Sequence, residues 1–169
     1  MSQIELRPGL ADVPVAESAI SFIDGQNARL EYRGIAVETL AQESCFEETC
    51  YLLFRGELPT QKQLADFDHE LRHHRRIKFR LSDLIKCLPE TGHPMYAMQA
   101  AVAAMGMFYP SRDVTNPQNN WESTIRLIAK LPTVTAAFHR IRYGEEPIKP
   151  RDDLDHAANF YWRLFEGEP

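Results

Sequence analysis

The stretch SCFEETCYLLFRGELPTQKQLADFDHEL, Ser44 to Leu71, decides the fold class. Ser44 with Glu47 has the S-x-x-E spacing that satisfies the first backbone N–H groups of a helix. Phe46, Cys50, Leu53 and Phe54 then follow on one face, and Gly56 supplies a stop. Thr60 with Gln63 repeats the start pattern, and Leu64, Phe67 and Leu71 continue it at helical spacing. Two helices joined by a Gly-Glu-Leu-Pro turn are predicted, and the helical period begins at Glu38.

Toward the C-terminus the period persists. Ser82 can cap a short helix running to Cys87 and ended by Pro89. Pro94 opens an uncharged helix to Tyr109, in which Met95, Met98, Val102, Met105 and Phe108 mark one face. Ala97, Ala100, Ala101, Ala104 and Gly106 keep the rest small, so this helix is expected to be covered on every side, with the small residues at a close crossing between subunits. A further helix spans Trp121 to Tyr143, with Pro132 expected to kink or divide it. After a loop at Pro147 to Pro150, Asp152 and Asp153 stand at the positive end of a last helix. Leu154, Ala158, Tyr161, Trp162 and Phe165 are its apolar positions and Gly167 its stop.

Toward the N-terminus, residues 19–34 carry the β signal. Ile20 and Phe22 alternate with Ser21, Asp24-Gly25 supplies turn chemistry, and Leu30 and Tyr32 alternate with Arg29, Glu31 and Arg33. The expected fold is all-α with a short N-terminal β-hairpin: an extension over 1–18, the hairpin over 19–34, and a helical segment over 35–169.

Composition narrows the function classes. The 169 residues, 44% hydrophobic and 25% charged, suit an ordinary folded domain burying roughly 70% of its unfolded surface. A net charge of -5 argues against nucleic-acid binding, which needs surplus Lys and Arg. Cys45, Cys50 and Cys87 are an odd number without CxxC spacing, so neither a disulfide framework nor a zinc site is indicated, and a reducing, cytoplasmic setting fits. The N-terminus has no secretory or transit pattern. The uncharged stretch Thr91 to Ser111 has a helical part too short to cross a bilayer, so no membrane partner is expected.

Candidate chemistry is sparse. The run Arg72-His73-His74-Arg75-Arg76-Ile77-Lys78-Phe79-Arg80 could hold a phosphorylated ligand, but at a helix end it reads as a solvated face aided by the helix dipole. Adjacent His73 and His74 point about 100° apart on a helix and cannot share a metal. His93, before Pro94, is read as satisfying free helix N–H groups, and His139 as a surface residue. Asp155-His156 is the reverse of the His-Asp dipeptide of metal-dependent phosphohydrolases. No nucleophile elbow, phosphate-binding glycine loop or HExxH is present. No catalytic, cofactor-binding or metal-binding residue is assigned.

At LEYRGI, residues 30–35, the chain begins to resemble a citrate synthase. Residues 44–60, SCFEETCYLLFRGELPT, resemble the family's S-F-E-x-x-x-Y-L-L-x-x-G-x-L-P-T signature. His93-Pro94-Met95, LIAKLPT at 127–133 and DHAANF at 155–160 are similar to further family patches. The likeness runs from about Gly9 to Pro169 and is nearest the bacterial, particularly cyanobacterial, type. Tyr96 departs from the small acidic or polar residue frequent there, and Tyr161-Trp162-Arg163 from a leucine- and methionine-rich continuation.

The resemblance implies the N-terminal part of a mainly helical large domain in an acyltransferase that condenses acetyl-CoA with oxaloacetate in the tricarboxylic acid cycle. Acetyl-CoA would be a substrate, and no bound cofactor or metal is implied. In such enzymes an Asp removes a methyl proton, one His stabilises the enol and another polarises the ketone. Those motifs are expected beyond Pro169, with the small domain, so the chain is expected to be inactive alone. The resemblance also implies a homodimer, or a heterodimer with an intact citrate synthase subunit, through helices 94–109 and 121–143. The alternatives are a non-catalytic helical interaction module that pairs with an intact subunit, and a degenerate fragment without a role.

Overall fold

The computed structural model describes residues 9, 13–14, 16–110 and 113–167, so most of the expected 1–18 extension lies outside the described residues. The chain forms two units, Met1–Leu58 and Pro59–Pro169.

In the first unit, β1 (Ser21–Asp24), β2 (Arg29–Tyr32) and β3 (Ile35–Ala36) make an antiparallel sheet in that order, followed by α1 (Val37–Glu43) and α2 (Phe46–Arg55). The expected hairpin is present, with Ser21 opposite Tyr32 and Asp24 opposite Arg29. The Asp24 carboxylate accepts from the backbone N–H groups of Gln26 and Asn27 and so shapes the turn. The third strand, only two residues long, carries no periodicity to read. It follows a two-residue turn in which Arg33 (φ 51°) and Gly34 (φ 82°) are both left-handed, the geometry that matches the twist of a hairpin.

Arg33 has a second task. Its Nη2 donates to the Leu53 carbonyl oxygen at 2.8 Å, satisfying one of the acceptors left free at the end of α2, and Gly56 closes that helix at φ 88° as expected. Ser44 does not cap α2. Because α1 extends to Glu43, the Ser44 N–H is spent on the Leu40 carbonyl, Cys45 becomes the cap position, and Glu47 is buried.

The second unit contains α3 (Gln61–His74), α4 (Phe79–Lys86), α5 (Pro94–Phe108), α6 (Pro117–Arg142) and α7 (His156–Phe165). The chain is thus all-α apart from its small N-terminal sheet. α6 is the hub, packed by α3, α4, α5 and α7. The Thr60–Gln63 capping box forms as expected, and His93 Nδ1 accepts from the Met95 N–H at 3.2 Å. α4 starts at Phe79, which places Ser82 inside the helix instead of at its cap.

Pro132 does not divide α6, since one 26-residue helix runs through it. An interior proline costs about 3 kcal/mol, and burial of Ile125, Ala129, Val134 and Phe138 on both sides of it outweighs that cost.

α5 is oriented differently from expectation. Its small stripe, Ala97, Ala101 and Ala104 with Met105, packs into this chain's own core against Leu81, Ile85, Val134 and Phe138. Small side chains let the backbones of α4, α5 and α6 approach closely. Met95, Tyr96, Val102 and Met107 remain exposed, so the helix is not covered on every side within this chain.

α7 departs in part from the expected apolar face, of which Leu154, Ala158 and Trp162 are half-buried. Tyr161 and Phe165 are exposed, while His156, Asn159 and Arg163, at i, i+3 and i+7, point inward. Its cap is Asp155, whose Oδ1 accepts from the Ala158 N–H at 2.7 Å, with Asp152 and Asp153 outside the helix. Its stop is Glu166, left-handed at φ 55°, one residue before Gly167.

Candidate functional site

The inward polar stripe of α7 has a physical cause in the segment before it. Residues 145–155 form no helix or strand, so their backbone groups must find partners outside regular structure. Arg163 Nε donates to the Ile148 carbonyl at 2.9 Å, and the Asn159 side chain accepts from the Arg151 N–H at 2.9 Å. From the end of α3, Arg75 Nη1 donates to the carbonyls of Arg151 and Leu154, both at 2.8 Å.

Arg75 therefore overturns the reading of the basic run as a solvated face, because it is 1% exposed and among the largest fully buried side chains. Arg76, the next residue, keeps that reading: it is exposed and pairs with Asp152 at 2.6 Å. One position in the run turns inward because the loop 151–154 offers it two carbonyls.

Lys130 on α6 completes the cluster. It is 3% exposed, and its Nζ donates to the carbonyls of His74 and, at 2.6 Å, Arg76. Burial, reinforced by Arg126 and Lys78, pushes its ammonium down to about 8. Burial and Lys130 likewise hold the His74 imidazole below its ordinary value. Lys78, Arg126 and Lys130 all lie over the Tyr109 ring, 4.8 to 5.4 Å from its centroid, so the π-face partly compensates three neighbouring cations.

Beside the cluster, a cleft of about 390 Å³ opens between α4, α6, α7 and the 146–150 segment. Arg76, Lys86, Lys149 and Arg163 line it together with Asp83 and Glu146. Lys86 is paired with Glu146 at 2.7 Å. Arg163 is 4% exposed, its Nη1 has no hydrogen-bond partner, and burial with Arg75 nearby pushes its guanidinium down to about 10.

The histidines are scattered. His69 and His73 stack on the exposed face of α3 at 6.4 Å in a groove shared with Arg72, Arg76 and Asp152, where the Asp152 carboxylate is held by Arg76. His139 is half-buried, its ring 5.0 Å from that of Tyr143 and 6.5 Å from that of Phe165, so it is not simply a surface residue. Among the described residues no group of histidine, cysteine and carboxylate side chains could hold a metal ion, and no helix is long and apolar enough to cross a membrane.

Sequence reasoning missed Arg163 and Lys130. For Arg163 a signal exists in the i, i+3, i+7 spacing of His156, Asn159 and Arg163, a polar stripe as regular as an apolar one.

The family model of the citrate synthase C-terminal domain matches residues 9–169. The citrate synthase of Synechocystis sp. is 51% identical over 163 residues, covering 96% of this chain and 41% of the relative. That of Acidithiobacillus ferridurans is 42% identical over 174 residues, covering 100% of this chain and 45% of the relative. The crystal structure of citrate synthase from Thermotoga maritima superposes with a TM-score of 0.84 at 33% identity, covering 98% of this chain and 43% of that one. The chain thus spans less than half the length of these relatives, and over nearly all of its own length it belongs to the citrate synthase family.

Proposed function

We propose that the chain serves as a helical large-domain portion of a citrate synthase, an acyltransferase joining acetyl-CoA to oxaloacetate in the tricarboxylic acid cycle, and that alone it has no turnover. The family match over residues 9–169 carries this reading. The surroundings of His69, His73 and His93 support the expectation of inactivity. Proton abstraction from a thioester methyl group needs a desolvated carboxylate beside histidines that stabilise the enol and polarise the ketone. His69 and His73 are exposed and their neighbouring Asp152 is engaged by Arg76, while His93 is spent on a helix N-terminus. The three free thiols suit a reducing, cytoplasmic setting. The test is thiol release from acetyl-CoA with oxaloacetate present. A rate equal to the heat-treated blank is expected, and enzyme-dependent turnover would refute the proposal.

A second reading, an interaction module pairing with a copy of itself or with an intact citrate synthase subunit, is favoured by the outward face of α5, where Met95, Tyr96, Val102 and Met107 are exposed. Because Ala101 is fully buried in the chain's own core, the informative change is Met107→Glu. Sedimentation at micromolar concentration should show a dimer that Met107→Glu dissociates, and a monomeric unmodified chain would remove this reading.

A further inference from the structure

Three charged groups lining the cleft, Asp83, Lys149 and Arg163, have no ion pair among the described residues; Asp83 and Lys149 are exposed to water and only Arg163 is buried. Lys86 is neutralised by Glu146 at 2.7 Å and Arg76 by Asp152 at 2.6 Å. Arg163 has neither compensation: among the described residues no carboxylate lies within ion-pair distance, its Nε is used by the Ile148 carbonyl, and Nη1 is bonded to nothing. A guanidinium removed from water without a counter-charge is among the most costly groups a protein can bury, and it stays charged at neutral pH. The site beside it is built to deepen that effect. Ile77, Phe79, Pro147 and Ile148 give the cleft apolar walls, which strengthen any charge interaction made inside. Lys149, exposed, stands at its rim. A volume of about 390 Å³ falls in the range of small-molecule sites, roughly 300–1,000 Å³.

We propose that this cleft binds a small polyanion of carboxylate or phosphate chemistry, with Arg163 as its inner charge and Lys149 as the cation that closes on it from solvent. Arg163 supplies the directional contact through its one unpartnered nitrogen, Nη1, since a guanidinium N–H suits the oxygens of either group. Lys149 supplies a point charge, and the apolar walls limit the anion to a few carbon atoms.

Calorimetric titration of the chain with inorganic phosphate and with tricarballylate tests this, and the arm that binds identifies the chemistry. Saturable binding of at least one is expected, weakened by added sodium chloride. Lys149→Glu should weaken it about tenfold, and Arg163→Gln should abolish it with the far-ultraviolet circular dichroism unchanged. Should Arg163→Gln fail to fold, the Lys149 substitution, at an exposed position, decides alone. Absence of saturable binding by both anions at millimolar concentration, or binding that Lys149→Glu leaves unaltered, would overturn the proposal.

Discussion

The Thr133 hydroxyl donates a 2.6 Å hydrogen bond to the carbonyl oxygen of Arg75, joining the middle of α6 to the end of α3. Both residues are buried. This carbonyl lies past the last turn of α3, where no intrahelical donor reaches it.

Thr133→Val keeps the shape of the side chain and removes the donor. Leaving a buried carbonyl unpaired costs about 1–3 kcal/mol, which urea unfolding should show as a lower midpoint with an unchanged slope. A change below the noise of the titration would mean that the carbonyl finds another partner.

Neighbouring arginines should behave oppositely. Arg75→Met removes the donor from two carbonyls and should cost about 2–4 kcal/mol, whereas Arg76→Gln breaks an exposed pair and should cost under about 0.5 kcal/mol. Thermal unfolding of the two variants side by side measures the contrast.

Lys130 gives the protein a pH dependence of known sign. With its ammonium pushed down to about 8 in the folded state, the unfolded chain binds more protons at higher pH, so its contribution to stability rises between about pH 8 and pH 10. Cys50, pushed up to about 11 by burial, contributes the opposite slope. Urea midpoints for the protein and for Lys130→Met across this range should therefore diverge, with the rising component missing from the variant. Parallel curves would contradict the buried-ammonium assignment.

The three thiols should separate kinetically. Cys87 is exposed, Cys45 is exposed with its thiol raised by burial of the sulfur, and Cys50 is buried and raised further. Since the thiolate is the reactive form, an aromatic disulfide reagent at neutral pH should modify Cys87 first, Cys45 next and Cys50 only on unfolding. Early loss of Cys50 by mass spectrometry would show that α2 opens locally.

What the chain discloses by reading depends on distance along it. The Thr60–Gln63 capping box, the His93 cap and the Gly56 stop are local devices, each closed within a few residues, and all three are legible. Ser44 misleads because two helices compete for it. The polar inner positions of α7 are hidden because their partners are backbone groups of the irregular segment before it, and Arg75 is hidden because its partners are 76 and 79 residues away. For the same reason the candidate cleft, assembled from four elements, left no trace in any single stretch.

The polar inner stripe of α7 changes what docking of that helix means. An apolar helix tolerates sliding, since one greasy register is nearly as good as the next. With His156, Asn159 and Arg163 inward, a shift by one residue strands a guanidinium among unmatched groups, at about 3–5 kcal/mol. The helix therefore works as a proofreading element for the second unit. Its register and the path of the irregular segment 145–155 are satisfied together or not at all, because each supplies the other's hydrogen-bond partners.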